Sequence, residues 1–572
     1  MNSHTSTDRR AASAEGGQVL AFVIAASFAG ILWSWNHGAM LNYGDAVAHL
    51  HIARRVFDAR TARLTQLGSV WLPLPHILLI PFVGNYAWWA NGLAGVIPSA
   101  LAYIASCAGI YRLARHWLSQ GPAWLALVFY ALNPNLLYLQ TTAMTEPLFL
   151  CEMVWTAVWL VEWRLALDDD PAQAARLQPL VAGTLIAAIF TRYDGWVMAL
   201  IAWIGIGAAL LRRGRLGRSP YFWLASAAVV AAPAAWFVYN SVGFGDWLFF
   251  ARGPYSARAI EMRTAAAGAW PPHPGWHDPW VGLLFYIKAA ELDTVAAPAW
   301  TNLWGNLVVG LAALGSAAAW FAQRSTPQRR ALGWIALLWL PVPFYAWSVA
   351  YGSVPIFFPA WWPYTHYNTR YGMELLPALA LGVGFAAKLV ADALDRRPGQ
   401  RWTQFLPDMA LAGMFALAGI NAAGILHHEA LVYAESTYNL EARLPYDEAI
   451  PPLLQNLLQS FPGGTVLMNT STYPEIVART GIPLRQTINE SDLEIWRAAL
   501  LNPASHAAIV VAFDGDEVDR AVKAHPNGLE VAEHFTAEGQ PGATVYYSKD
   551  ALPQFERPEA TLPIEDIPAP GK

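Results

Sequence analysis

The sequence predicts a polytopic α-helical membrane protein with about eleven transmembrane helices and a C-terminal soluble α/β domain. Hydrophobic residues make up 55% of the 572 residues and charged residues 13%, about half the charged fraction of an ordinary soluble domain. The mean hydropathy is +0.29, and apolar segments long enough to cross a bilayer recur as far as residue 425. These features exclude a disordered chain, a disulfide scaffold and a coiled coil.

The net charge and the two cysteines argue against a nucleic-acid partner, a disulfide and a cysteine metal site. The formal net charge is −5 and no basic tract appears, so nucleic acid is not expected as a partner. Both cysteines, Cys107 and Cys151, lie inside apolar segments. We interpret them as small core residues rather than as a disulfide or a metal site.

Eleven apolar segments have about the length that a bilayer requires, and each is predicted to be a transmembrane helix. The first follows a polar arm, residues 1–17, and is interpreted as an anchor rather than a cleaved signal peptide. The predicted spans are residues 18–36, 87–110, 121–140, 144–167, 179–192, 195–211, 220–239, 302–322, 332–350, 375–393 and 404–425.

The distribution of arginine predicts how the chain is oriented in the membrane. Arginines recur in every second short loop, which under the positive-inside rule places the N-terminus in the cytoplasm. The longest loops and all residues after the last span are then outside the cytoplasm. Loops of this length are usually functional or disordered. Within a membrane domain of residues 18–425, the outer loops are residues 37–86, 240–301 and 351–373.

The residues after the last span change in composition and predict a separate domain. Charge is more frequent, and short β-branched runs alternate with helical periodicity, which indicates an extracytoplasmic α/β domain over residues 426–550. The tail, residues 551–572, is rich in Pro and Glu and is predicted to be flexible. Strands are predicted at 465–468, 508–511 and 544–547, and helices at 449–460 and 514–524.

The first outer loop opens with an amphipathic segment that follows Gly44. Asp45 would lie in the first turn of this helix, either as a favourable acid at the positive end of the dipole or as a general base. His49 lies one turn later on the same face. It is interpreted as a partner that orients Asp45 or shares a proton or metal with it, or as a structural residue. His51 is interpreted as a substrate-binding residue, with the same structural alternative.

The end of this loop contains Pro73 and Pro75, which predict extended chain before the next helix. His76 follows directly. It is interpreted either as a substrate-binding group directed toward the loop or as a buried histidine with satisfied hydrogen bonds.

Two further segments place ionisable residues at the outer membrane boundary, where such groups are functional candidates. Glu146 follows Thr145 at a helix start and is either an acid favoured by the dipole or a catalytic group. Arg192, Tyr193 and Asp194 interrupt two apolar segments. The arginine and the aspartate either pair with each other or line a cavity that meets a charged ligand.

A third segment at this boundary precedes the tenth span and combines aromatic residues with one arginine. Arg370 has the planar donor geometry that suits phosphate, and its alternative role is that of an interfacial residue in an aromatic belt. Tyr371 beside it offers a hydroxyl and a ring face, and His366 lies in the same segment.

These features together resemble the GT-C membrane glycosyltransferases, in particular the protein mannosyltransferase and aminoarabinose transferase superfamily (glycosyltransferase family 39-like). The resemblance rests on a long first outer loop that opens with Asp45 and on the Thr145-Glu146-Pro147 helix start. It also rests on the Arg192-Tyr193-Asp194 turn and the Arg370-Tyr371-Gly372 motif, and it covers residues 18–395.

The resemblance implies a transferase of the plasma (inner) membrane whose donor is a sugar on polyprenyl phosphate and whose acceptor is a lipid, glycan or protein. Transfer would be inverting, with Asp45 as base on the acceptor and Arg370, with Arg192 as a second candidate, on the donor phosphate. Many relatives have Glu after the loop aspartate, whereas this chain has Ala46. No cofactor is implied with certainty, and a divalent metal held by Asp45 and His49 stays open.

Two other classes of function remain as alternatives. A transporter or flippase for a lipid or sugar of the cell envelope predicts ionisable residues at mid-membrane and broken helices in corresponding halves. A non-enzymatic scaffold would not require Asp45, Arg192 and Arg370 to meet. Charged residues near the outer boundary favour the enzyme, for which Asp45, Glu146, Arg192 and Arg370 are expected to lie in one site.

Overall fold

The computed structural model describes residues 6–266, 271–296, 303–323, 326–395 and 405–549. The tail predicted to be flexible, residues 551–572, lies outside the described residues. The chain forms two compact units: one contains residues up to Arg54 and Leu67–Glu441, and the other contains Arg55–Gln66 and the residues from Ala442 onward. A short piece of the predicted first outer loop is therefore part of the second unit.

The first unit is helical, and the described residues include nine helices long and apolar enough to cross a membrane. The predicted polytopic fold is confirmed, and the described residues of all eleven predicted spans are helical or largely so. Two predicted spans are not among the nine. Residues 121–140 break at Asn133-Pro134 into two shorter helices, and residues 144–167 form a long helix that carries several charges. The long helices are α1 (Ser6–Asn36), α5 (Leu93–Ala114), α8 (Glu146–Asp169), α9 (Pro171–Thr191), α10 (Asp194–Leu211), α11 (Pro220–Phe244), α15 (Leu303–Ala322), α18 (Leu376–Asp395) and α19 (Leu406–His427).

Shorter helices complete this unit and form most of its predicted outer loops. The first loop contains α2, which confirms the helix predicted after Gly44 and begins at that glycine. The shorter helices are α2 (Gly44–Arg55), α3 (Leu74–Val83), α4 (Tyr86–Asn91), α6 (Gln120–Ala131), α7 (Pro134–Leu139), α12 (Phe249–Arg252), α13 (Ala257–Ala266), α14 (Pro279–Thr294), α16 (Thr326–Leu332) and α17 (Pro341–Tyr351). Two 3₁₀ helices, Gly333–Trp339 and Thr369–Leu375, lead into α17 and α18.

Local sequence explains several of the helix starts. Asp278 accepts hydrogen bonds from the backbone N–H groups of Trp280 and Val281, which caps α14. The predicted extended chain at Pro73–Pro75 is wrong, because Pro73 has helical dihedral angles and α3 begins at Leu74. Proline is tolerated in the first turn of a helix, where its missing N–H has no intrahelical partner.

Small residues let two of the long helices pack closely. A Cβ atom at Gly382 of α18 would lie 2.3 Å from the carbonyl oxygen of Ala312 on α15, and one at Gly315 would lie 2.5 Å from the carbonyl oxygen of Gly382. Only glycine fits at these two positions. Close backbone approach of this kind is how helices associate in lipid. It holds α18, and the 3₁₀ helix before it, in place.

The second unit contains a five-stranded mixed sheet in the order β2-β1-β3-β5-β4. β1 pairs in parallel with β2 and β3, whereas β5 pairs antiparallel with β3 and β4. The strands are β1 (Val466–Met468), β2 (Thr487–Ile488), β3 (Ile509–Phe513), β4 (Leu529–Phe535) and β5 (Ala543–Ser548). The helices are the end of α20 (Leu431–Ser460), α21 (Glu475–Thr480), α22 (Glu494–Leu501), α23 (Pro503–His506) and α24 (Glu517–Ala524).

The predicted α/β character of this region is confirmed. The predicted strands appear as β1, β3 and β5, and the predicted helices as the end of α20 and α24. Leu467, Val510 and Trp496 form part of a buried core between the sheet and its helices. The sequence reasoning missed β2, which has only two residues, and β4, a partly exposed edge strand.

Candidate functional site

The candidate site is centred on Arg370, in the 3₁₀ helix Thr369–Leu375. Its guanidinium group donates to three carboxylates from three different helices. Nη2 lies 2.7 Å from Asp45 Oδ2 of α2, and Nε lies 3.1 Å from Glu146 Oε1 of α8. Nη1 lies 3.2 Å from Glu435 Oε1 of α20. Residues 325 positions apart in sequence therefore meet at one cation.

A second guanidinium group, that of Arg192, forms the other half of the site. Its Nη1 donates to Glu146 Oε1 over 3.2 Å and its Nε to Asp194 Oδ2 over 3.3 Å. Its Nη2 lies 2.9 Å from Glu374 Oε1 and 2.6 Å from the hydroxyl oxygen of Tyr345. The predicted pairing of Arg192 with Asp194 is present, but it is one contact among several.

Glu146 and Tyr371 join the two halves. A single oxygen of Glu146 accepts hydrogen bonds from both arginines. The ring centroid of Tyr371 lies 4.8 Å from the guanidinium carbon of Arg192 and 5.2 Å from that of Arg370, which are distances of cation–π interaction. The site is therefore one connected network.

The network is buried at every carboxylate except one. The side chain of Asp45 is 41% exposed, whereas those of Glu146, Asp194, Glu374 and Glu435 are at most 6% exposed. Two guanidinium groups face these five carboxylates. The network therefore reaches solvent at the Asp45–Arg370 ion pair, and the loss of either arginine would leave buried acids without their cation.

The backbone that carries Arg370 is packed tightly against α14. A Cβ atom at Gly372 would lie 2.6 Å from the backbone carbonyl carbon of Ala289 and 2.5 Å from Asp293 Oδ2, so only glycine fits there. The carbonyl oxygen of Asp293 accepts hydrogen bonds from the side-chain amides of Asn133 and Asn135. The Asn135 side chain also accepts from the backbone N–H of Val432, at the start of α20.

The histidines of the first outer loop form a cluster of their own. His49 Nδ1 lies 2.8 Å from His76 Nε2, and the ring of His49 packs 4.3 Å from that of Trp71. Between the described side chains of Asp45 and His49 there is no hydrogen bond. The hydrogen bond described for the His49 ring is therefore to His76, and a role of His49 in orienting Asp45 stays a prediction without a supporting contact. Among the described residues, no group of three or more His, Cys, Asp or Glu side chains is arranged to hold a metal ion.

The remaining predicted site residues lie outside the network. His51 is buried with its ring 4.9 Å from that of Trp89. The hydroxyl of Tyr193 donates to the carbonyl oxygen of Val70, and the ring of His366 lies 5.5 Å from that of Tyr438. None of the three has a hydrogen bond or ring contact to Arg192 or Arg370 among the contacts described.

The sequence reasoning missed three members of the network. Glu374 lies in the segment of Arg370, but the resemblance implies no role for it, and Tyr345 lies inside an apolar span with no polar neighbour in sequence. Glu435 falls within the predicted soluble domain. The only signal for Glu435 was an acid in a segment that follows the last span closely, and the sequence does not indicate its partner.

Tyr345 and Tyr286 offer a matched test of the network. Their rings stack 4.9 Å apart, but the Tyr345 hydroxyl donates to Glu374 and accepts from Arg192. The Tyr286 hydroxyl has no hydrogen-bond partner in the described part of the chain. We expect Tyr345→Phe to lower the free energy of unfolding by about 1–3 kcal/mol, because it leaves buried polar partners unsatisfied. Tyr286→Phe should be neutral or stabilising, and equal losses in denaturant titrations would contradict the assignment.

The His49 ring gives a second, pH-dependent prediction. Burial, opposed by Glu146 and reinforced by the two arginines, lowers the pKa of His49 from 6.5 to about 4. Because the unfolded chain then binds a proton more readily, the contribution of His49 to stability is complete above pH 6.5 and is lost as pH falls toward 4. The loss amounts to roughly 3 kcal/mol. His49→Gln should flatten the pH dependence of the unfolding free energy, whereas replacing the exposed His525 should not.

Among comparisons with known proteins, the comparison with solved structures found matches. No protein-family model matches the chain, and no curated protein matches it. The nine described helices that are long and apolar enough to cross a membrane, together with the match to ArnT given next, show a polytopic fold of the GT-C type, which confirms the resemblance at the level of fold.

Solved structures of two proteins are among those that match this chain. The crystal structure of ArnT from Cupriavidus metallidurans bound to undecaprenyl phosphate matches with a TM-score of 0.52 at 13% identity, over 91% of this chain and 97% of that chain. The apo state of the same ArnT gives the same values. Archaeal oligosaccharyltransferase AglB from Archaeoglobus fulgidus, in complex with an inhibitory peptide and a dolichol-phosphate, matches at 0.44 and 13% identity, over 93% and 75%.

Proposed function

We propose that this protein is an integral membrane glycosyltransferase. It transfers a hexosyl or pentosyl group from a polyprenyl-phosphate-linked donor to a lipid, glycan or protein acceptor. The observation that carries the proposal is the ion pair of 2.7 Å between Asp45, the exposed acid of the network, and Arg370. The ArnT structure with the same fold was crystallised with undecaprenyl phosphate, which supports a donor of this chemical class.

The proposed reaction is a direct displacement at the anomeric carbon. The acceptor oxygen or nitrogen forms the new bond, and its proton passes to the Asp45 carboxylate. The bond between the anomeric carbon and the phosphate oxygen breaks, and polyprenyl phosphate leaves with the electron pair. A single displacement inverts the anomeric configuration. A positioned base and a stabilised leaving group are the two requirements of such a step.

Arg370 is suited to stabilise the leaving group because it already holds the base. As Asp45 takes up the acceptor proton it loses its charge, and its attraction to Nη2 of Arg370 weakens. Negative charge appears on the phosphate in the same step. The guanidinium group can then donate to the phosphate, for which its planar donors are well suited. Arg192 adds positive charge through the shared carboxylate of Glu146.

The proposed location of the reaction is the outer face of the plasma membrane. The predicted orientation has a cytoplasmic N-terminus, which places the loop of Asp45 and the C-terminal α/β domain outside. The donor sugar would be presented from the outer leaflet, with the prenyl chain in the lipid.

Purified protein in lipid nanodiscs, supplied with a panel of polyprenyl-phosphate sugars and candidate acceptors, tests the proposal. The expected result is acceptor-dependent release of free polyprenyl phosphate, measured by mass spectrometry of the lipid fraction. Movement of intact lipid-linked sugar across liposomes without cleavage would instead establish a transporter and refute the enzyme.

A further inference from the structure

Glu435 has an environment unlike that of the other acids around Arg370. It lies on α20 and is 2% exposed. Its Oε1 accepts from Arg370 Nη1, and its Oε2 accepts from the backbone N–H of Thr369 over 3.0 Å. The hydroxyl of Thr369 also donates to Oε2. The Tyr43 hydroxyl lies 3.2 Å from Oε2 and 2.8 Å from the carbonyl oxygen of Val432, and these two acceptors share its single proton. Both oxygens of this buried carboxylate are therefore held by protein donors.

These contacts hold both the side chain and the backbone of the arginine segment. Thr369 directly precedes Arg370. Glu435 therefore hydrogen-bonds both to the backbone at the start of the 3₁₀ helix and to the guanidinium group of the next residue. Glu146 holds Nε from the other side. With Nε and Nη1 occupied by buried acids, Nη2 is the donor that faces the exposed Asp45.

We infer that Glu435 is a positioning residue, which orients Arg370 so that its Nη2 edge meets the donor phosphate. This inference rests on the proposed function and deepens it. Glu435 does not contact the reacting atoms, because its two oxygens are taken by protein donors. Its effect is on the geometry with which Nη2 of Arg370 meets phosphate, and a directed hydrogen bond to phosphate depends on that geometry being fixed.

The variant Glu435→Gln separates the two oxygens of this carboxylate. The backbone N–H and the hydroxyl of Thr369 both donate to Oε2, so the amide oxygen of glutamine is favoured at that position. The amide NH₂ group then faces Arg370 Nη1. Because both groups are donors, no hydrogen bond forms between them, and Glu435→Gln no longer orients the guanidinium group. The charge-assisted bond that disappears predicts a rise of roughly tenfold or more in KM for the donor. KM for the acceptor should stay within about twofold.

A purely structural role for Glu435 gives a different result. Partial misfolding lowers the active fraction, and therefore kcat, without changing KM for the donor. Glu435→Asp keeps the charge and both oxygens and should recover part of the donor affinity. Glu475→Gln is the matched control, since Glu475 is a buried acid that accepts from Arg443 and Arg479 in the second unit. It should leave KM for the donor unchanged.

Binding of undecaprenyl phosphate to the detergent-purified full chain provides the second measurement. Wild type that neither binds this lipid nor transfers sugar would refute the proposed function itself. Wild type that binds, with a folded Glu435→Gln variant that binds equally well, would overturn the role of Glu435 alone. If Glu435→Gln does not fold, Thr369→Val decides, because it removes one donor to Oε2 and keeps the charge. Unchanged donor affinity in Thr369→Val would then count against the inference.

Discussion

Asp45→Asn is expected to lower the rate of sugar transfer by about 10²–10⁴-fold, the usual contribution of a general base. Asparagine has nearly the same shape as aspartate, but its amide does not accept the acceptor proton at neutral pH. The donor should still bind, because Arg370 is unchanged. The expected signature is therefore a loss of kcat with little change in KM for the donor.

Asp45→Asn is expected to remain folded because the aspartate is partly exposed and Arg370 has other partners. Asp45 is 41% exposed, so its charge is largely solvated whether or not Arg370 is near. Arg370 keeps Glu146 and Glu435 as partners. The amide oxygen of asparagine can still accept from Nη2. The cost in unfolding free energy should stay below about 1 kcal/mol, as for exposed ion pairs.

Asp246→Asn is the matched control for this experiment. Asp246 lies in another predicted outer loop and faces an arginine, Arg252, at 3.8 Å, and it is not among the three acids that pair with Arg370 in the described part of the chain. The Asp246→Asn variant should transfer sugar at the wild-type rate. Transfer by Asp45→Asn at the wild-type rate would remove Asp45 from the role of base, whatever the control shows.

The four residues at the centre of the network could be selected from the sequence because of where they occur. Ionisable side chains are costly near the hydrocarbon core, so Asp45, Glu146, Arg192 and Arg370 stand out against apolar neighbours. Their meeting could be expected because all four were predicted on the same side of the membrane. Their separation of up to 325 residues leaves the actual pairings to tertiary packing.

Other members of the network, such as Glu435, do not stand out as ionisable residues among apolar neighbours in the sequence. Glu435 follows the last span in a segment where charges are frequent, and its function depends on Thr369 and Tyr43, to which no sequence pattern links it. His49 was expected to face Asp45 because both share a helix face. In the structure the ring faces His76 instead, since α3 begins at Leu74 and brings His76 close. Periodicity indicates a face but does not identify the partner.

The fold was easier to predict than the site because hydropathy acts over whole segments. A break inside an apolar run, as at Asn133-Pro134, splits a predicted span into α6 and α7. The edge strand β4 has exposed charged residues such as Glu530 and Glu533 and therefore lacks the β-branched core pattern that marks β3. Edge strands often carry charge because it prevents pairing with other chains.

Replacing Arg370 is expected to have the largest effect on both stability and donor binding. Arg370→Ala removes a 9% exposed cation from three carboxylates, of which two are almost fully buried. Leaving buried charges uncompensated costs about 3–5 kcal/mol. Arg370→Lys keeps the charge but offers a single ammonium group in place of three directed donors. Donor affinity should fall in the order wild type, lysine variant, alanine variant.

Loss of stability alone could mimic loss of binding, and a charge-balanced pair of variants separates the two. Arg370→Met combined with Glu435→Gln removes one cation and one buried acid together. It should regain part of the unfolding free energy that Arg370→Met loses, because fewer buried charges lack a partner. Donor affinity should not recover, since no guanidinium group remains to meet the phosphate.

Arg443→Ala provides the control outside the site. Arg443 is also buried and donates to two acids, Asp447 and Glu475, over 3.1 Å each. Its loss should destabilise the second unit by a similar amount and leave binding of undecaprenyl phosphate unchanged. Equal donor affinity in wild type and Arg370→Ala, measured on folded protein in the same detergent, would show that Arg370 is a structural counter-ion and that the phosphate is bound elsewhere.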